Sequence, residues 1–155
     1  MAERVERMWM ETTRQSVVQT VADIQKLLSK YHAESITIGY EKGEIASVSF
    51  ELWVMNRHLA YRLPSKWQGV LQKIVDRKKR KKITAEIEEK AKRIAWRQTL
   101  HWVEAQLGYV DTGQVKTEQV FFAYIVDDRG KTLFEAIEEK GYRMLDYKKE
   151  KGEAE

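Results

Sequence analysis

Hydrophobic positions follow two different periods along this chain. From Ser35 to Leu63 they alternate with polar residues, the period of a strand with one face buried. This alternation predicts three strands, Ser35–Tyr40, Ile45–Met55 and His58–Leu63. Glu41-Lys42-Gly43-Glu44 and Asn56-Arg57 supply the turns between them. One face then carries Ile36, Ile38, Tyr40, Val48, Phe50, Leu52, Val54, Leu59, Tyr61 and Leu63. The other carries Thr37, Ser49, Glu51, Trp53, His58 and Arg62. The apolar face calls for a cover of helices, and the second face is read as wet.

Elsewhere the period is helical. Val21, Ile24, Leu27, Leu28 and Tyr31 form one stripe, with Thr20 expected as its N-cap and Asp23 three residues on. Thr13–Gln19 is expected to be extended. Pro64 ends the sheet, and Ser65 with Gln68 reads as a capping box for a helix bearing Trp67, Val70, Leu71 and Ile74. Thr84 to Tyr109 is the longest uninterrupted helical pattern, and it has two apolar faces. Ile87, Ala91, Ile94, Ala95, Trp102 and Ala105 fall on one face; Trp96, Leu100, Val103 and Leu107 fall on the other. Such a helix is packed on two sides, which makes it the centre of the fold. Thr117 is expected to cap a short helix through Val120, Phe121, Tyr124 and Ile125. Asp127-Asp128-Arg129-Gly130 reads as a turn, and Thr132 with Glu135 opens a last helix reaching toward Leu145. The sequence therefore predicts an α+β fold: a three-stranded antiparallel meander covered on one face by helices, with a long central helix. Residues 1–19 are read as an N-terminal arm, 20–147 as a single domain and 148–155 as a disordered tail.

Composition narrows the function. A chain of 155 residues can bury one real core. It has no cysteine, which excludes disulfides, thiolate metal sites and a cysteine nucleophile. Charged residues make up 34%, with a single proline, and this suits a cytoplasmic protein from a warm-growing source. No apolar run approaches membrane-spanning length, and the charged start MAERVERMWMETT is unlike a signal peptide. A net charge of +4 favours anionic partners mildly.

No phosphate loop, dinucleotide fingerprint, nucleophile elbow or zinc-helix motif is present. His32, His58 and His101 are far apart, and Glu86, Glu88 and Glu89 are explained by the dipole of the helix they open. No catalytic residue, metal or cofactor is therefore expected, and the chain reads as non-enzymatic. The cations are more suggestive. Arg77, Lys78, Lys79, Arg80, Lys81 and Lys82 lead into a helical stripe of Lys90, Arg93 and Arg97, a possible track for phosphates. Trp53, flanked by His58 and Arg62, offers a stacking surface for unpaired bases. These features point to a protein that binds nucleic acid, single-stranded DNA in particular. The alternative is a protein-interaction factor acting on a host or phage enzyme, or a homodimer joined through the spare apolar side of the central helix.

Three stretches carry a resemblance. ADIQKLLSKYHAESITIGYE, RHLAYRLP and AWRQTLHWVEAQLGYVDTGQVKTEQVFFAYIVDDRGKTLFEAI together resemble a group of small proteins encoded in tailed-phage and prophage genomes, over roughly residues 20–137. His32 stands where those proteins tend to carry glycine, and the basic insertion Arg77–Lys82 is particular to this chain. The resemblance implies a phage-type origin and supplies no catalytic residues.

Overall fold

The computed structural model describes residues 6–79 and 82–148. The alternating stretch folds as β1 (Ser35–Glu41), β2 (Glu44–Val54) and β3 (Arg57–Arg62), an antiparallel sheet in the order β1-β2-β3. Lys42 and Gly43 turn the first hairpin with φ of 49° and 78°. Met55 and Asn56 turn the second with φ of 47° and 63°, so it falls one residue earlier than the expected Asn56-Arg57. Two-residue turns with positive φ at both positions match the twist of the strands they join. The second turn fixes the register that sets Trp53 opposite His58 and Phe50 opposite Tyr61.

Two helices cover the apolar face of the sheet, α1 (Val17–Lys30) and α3 (Ala85–Asp111). Val48, Phe50 and Tyr61 from the sheet pack with Ile24 and Leu28 of α1 and Trp96, Val103 and Leu107 of α3. Phe50 stacks on Tyr61 with ring centroids 5.1 Å apart, and Phe121 meets Phe50 edge-on at 5.5 Å. The opposite side of α3 packs on α2 (Trp67–Lys78): Ile87, Ala91 and Ile94 enclose Ile74, with Met8 from the N-terminal arm against them. The two-faced central helix is thus packed on both sides. Of its two apolar faces, one packs on the sheet, and Ile87, Ala91 and Ile94 of the other are taken up by α2. Trp102 lies between the two packings, against Phe121 and Tyr124.

The chain then returns to the sheet. After α4 (Thr117–Val120) and a 3-10 turn at Phe122–Tyr124, Val126 N–H donates to the Ala60 carbonyl at 2.8 Å, and Ile125 bridges Tyr61. This short return covers the outer edge of β3 before α5 (Leu133–Glu139). Thr132 caps α5 as expected, accepting from Glu135 N–H at 3.2 Å. The helix stops at Glu139, short of Leu145, where Gly141 and Tyr142 take φ of 65° and 59°.

Three expected caps move. Ser16, not Thr20, caps α1, accepting from Gln19 N–H at 3.1 Å. Thr20 lies buried inside the helix, so the extended arm ends at Ser16 and the expected arm boundary at residue 19 falls within α1. Ser65 does not cap α2, because its hydroxyl donates to the Ala46 carbonyl at 2.9 Å. Ala46 is the extra residue where the β1–β2 register shifts, which keeps its carbonyl out of the regular ladder. Thr117 sits inside α4, whose N-cap is Lys116. Tyr40 borders the same surface opening as Val17, Ile45 and Trp96, on the helix-covered face where alternation placed it, yet it is 65% exposed. Of the expected tail, 148–155, all but Lys148 lies outside the described residues.

Candidate nucleic-acid interface

Lys90, Arg93, Arg97 and His101 recur at helical spacing on the side of α3 that neither the sheet nor α2 covers. The stripe runs from the N-terminal arm, where the Lys90 charge acts on Glu11, to α1, where Arg97 reaches Asp23 at 3.4 Å. Between α1 and α3 it borders an open groove of about 380 Å³. Leu27 and Leu100 line the groove together with Asp23, Lys26 and Lys30 of α1 and Arg97, His101 and Glu104 of α3. Lys26 and Lys30 were missed in the sequence, although their spacing of four places them on one face of α1.

Acids temper this cationic rim. Arg93 pairs with Glu89 at 3.2 Å, Arg97 with Asp23, and His101 Nδ1 lies 3.9 Å from Glu104. These pairs are partly or largely open to water, where each is worth roughly 0–1 kcal/mol. A phosphate can therefore exchange for the carboxylate at small cost. Lys26 and Lys30 have no ion-pair partner among the described residues, and Lys30 Nζ stands 5.8 Å from the ring centroid of Tyr31.

The basic run divides by role. Arg77 and Lys78 end α2, where positive charge favours the helix C-terminus, and Lys79 follows as its left-handed C-cap. Arg77 pairs with the largely buried Glu11 of the arm. That hydrogen bond, with the charges of Arg77 and Lys90, holds the Glu11 carboxyl below its ordinary range. Arg77 is thus spent on docking the arm. Lys82 is exposed just ahead of α3, while Arg80 and Lys81 lie outside the described residues.

The aromatic part of the expected site is elsewhere. Trp53 follows the buried Leu52 and so points to the opposite face of the sheet, away from the helices. His58 meets it edge-on with centroids 4.3 Å apart. The His58 Nδ1 lies 3.4 Å from Glu34 and 4.0 Å from Glu51, which makes the surroundings acidic. Arg62 is engaged with the C-terminal segment, donating to the Gly130 carbonyl at 3.0 Å and to Glu135 at 3.1 Å. The structure therefore separates the cations from Trp53, His58 and Arg62, putting them on opposite sides of the domain.

Asp127 is a turn residue. It accepts from the N–H groups of Lys131 and Arg129 at 3.0 and 2.9 Å, and these bonds, that from Lys131 foremost, lower its pKa. Among the described residues no three His, Asp or Glu side chains gather as a metal site, and no helix is long and apolar enough to cross a membrane. No family model, curated protein or solved structure matches the chain.

Proposed function

We propose that this protein binds single-stranded nucleic acid without catalysis, through the groove between α1 and α3. The reading rests on one observation: Lys26, Lys30 and Arg97 outnumber the carboxylates Asp23 and Glu104 around an apolar floor of Leu27 and Leu100. Proteins that hold unpaired strands combine a positively charged groove for the backbone with aromatic faces for the bases; this groove supplies the charge, and its apolar floor is aliphatic. Lys90, Arg93 and Lys82 extend the charge along α3 toward the basic run. Trp53 is left out of this site. With the resemblance to tailed-phage proteins, the reading places the protein in the host cytoplasm, acting on phage or host DNA.

The test is fluorescence anisotropy of labelled single- and double-stranded oligonucleotides over a range of salt concentrations. For single strands the logarithm of affinity falls with the logarithm of salt at a slope of about −0.7 per phosphate neutralised. Lys26→Glu/Lys30→Glu is expected to weaken binding at least tenfold and to flatten that slope by about 1.4. Binding that ignores both salt and this double variant would remove the groove from consideration. No binding at low salt would favour a protein partner instead. The exposed Phe134, Met144, Leu145 and Tyr147 of the C-terminal segment favour that second reading.

A further inference from the structure

The two edges of the sheet are treated differently. The return of Ile125 and Val126 covers β3, whereas β1 pairs only with β2 among the described residues. Strand β1 is seven residues long and holds no proline and no lysine, and the register shift between Gly39 and Tyr40 has its extra residue, Ala46, on β2 rather than on the edge strand. Its backbone is also set for pairing. Leu63 N–H donates to the Val48 carbonyl at 2.9 Å, so the even-numbered residues of β2 bond toward β3 and the odd-numbered ones toward β1. The Glu51 carbonyl is turned toward β1, where the N–H of Glu34, just ahead of the strand and outside its alternation, donates to it at 3.0 Å. Ser35, Thr37 and Gly39 thus face β2, and the N–H and C=O groups of Ile36, Ile38 and Tyr40 face outward.

We propose that β1 is a dimerisation edge, pairing antiparallel with β1 of a second copy about a two-fold axis at Ile38. This register joins outward-facing residues to outward-facing residues, as an antiparallel ladder requires. It sets Ile36 against the partner copy's Tyr40, giving that exposed ring an aliphatic neighbour of the favoured kind. It also brings Glu34, just ahead of β1, toward Lys42 in the partner copy's hairpin turn, one such approach beyond each end of the ladder. Lys42 has no ion-pair partner among the described residues, and Glu34 has only the exposed His58. Moving the register by two residues in either direction loses the Glu34–Lys42 match, so charge selects the alignment. The product is one continuous sheet of six strands, with the helices of both copies on the same face. This association needs no nucleic acid and is independent of the groove.

Sedimentation velocity of the full chain over a concentration series, without nucleic acid, tests it. The expected result is a monomer–dimer equilibrium. Ile38→Pro removes an outward-facing N–H and leaves the bonds to β2 intact, so the variant is expected to keep its circular dichroism and sediment as a monomer. Glu34→Lys is expected to raise the dimer dissociation constant about tenfold, through two like-charge contacts. Adding Lys42→Glu restores the pairing with its sign reversed. This charge exchange decides the matter alone if Ile38→Pro does not fold. A monomer at every concentration overturns the proposal, as does a dimer indifferent to Glu34→Lys or not restored by the exchange.

Discussion

In the first turn of α1 the Thr20 hydroxyl is buried with no hydrogen-bond partner. A buried hydroxyl left unpaired costs on the order of 1–3 kcal/mol. Valine has the same shape and nearly the same helix propensity. Thr20→Val is therefore expected to stabilise the protein by about 1 kcal/mol, read as a higher urea midpoint at unchanged slope. A lower midpoint would mean that the hydroxyl is bonded after all. The burial was legible in the sequence, since Thr20 stands four residues before Ile24 and eight before Leu28, on the core stripe. A hydroxyl with an acid three residues on nevertheless reads as a cap, and only the position of Ser16 resolves the two. Glu11 is a residue whose role was not legible, because its partner Arg77 is distant in sequence. Its pKa is lowered in the folded state, so its contribution to stability is full above the unfolded carboxylate range and is lost as pH falls through the folded value. Glu11→Gln is expected to cost about 2 kcal/mol at neutral pH and much less at pH 3. Urea titrations of both proteins at the two pH values measure the difference, and an equal cost at both would rule out the ion pair as its source.

At the scale of elements, what could be read followed from length and period. Eleven residues of β2 and twenty-seven of α3 are enough to show their periods, and both were located from sequence. The return of Ile125 and Val126 along β3 was not, because two residues carry no alternation. Nor was the register shift beside Gly39, which depends on how the two strands meet. Gly39 is where that meeting is tightest: a Cβ placed there would lie 2.2 Å from the Ser47 hydroxyl oxygen. Gly39→Ala is expected to destabilise by roughly 1–2 kcal/mol through this overlap. Removing the hydroxyl with Ser47→Ala should recover most of the loss, since the Ser47 Cβ would be an acceptable 3.5 Å away. Thermal melts of the two single variants and the double form the cycle. Additive losses would locate the strain in the backbone instead.

At the scale of the whole molecule, the sequence supplied the parts of a binding surface but not their arrangement. Alternation identified Trp53 as an outer-face residue, and helical spacing gathered Lys90, Arg93 and Arg97. That these surfaces lie on opposite sides depends on the way α3 crosses the inner face of the sheet. No local pattern encodes that crossing. The arrangement has a consequence for binding. A strand lying between α1 and α3 cannot also stack on Trp53 without passing around an edge of the sheet. It would then meet the carboxylates of Glu34 and Glu51 near His58, where phosphates are repelled. Trp53→Ala is therefore expected to change the affinity for a short single-stranded oligonucleotide less than twofold. Stacking on that ring would instead be worth about 1–3 kcal/mol, up to a hundredfold or more in affinity. Anisotropy titrations of Trp53→Ala with oligonucleotides of increasing length separate the cases. A large loss at every length would make the outer face of the sheet the binding surface. A loss confined to long oligonucleotides would mean that one strand reaches both sides of the domain.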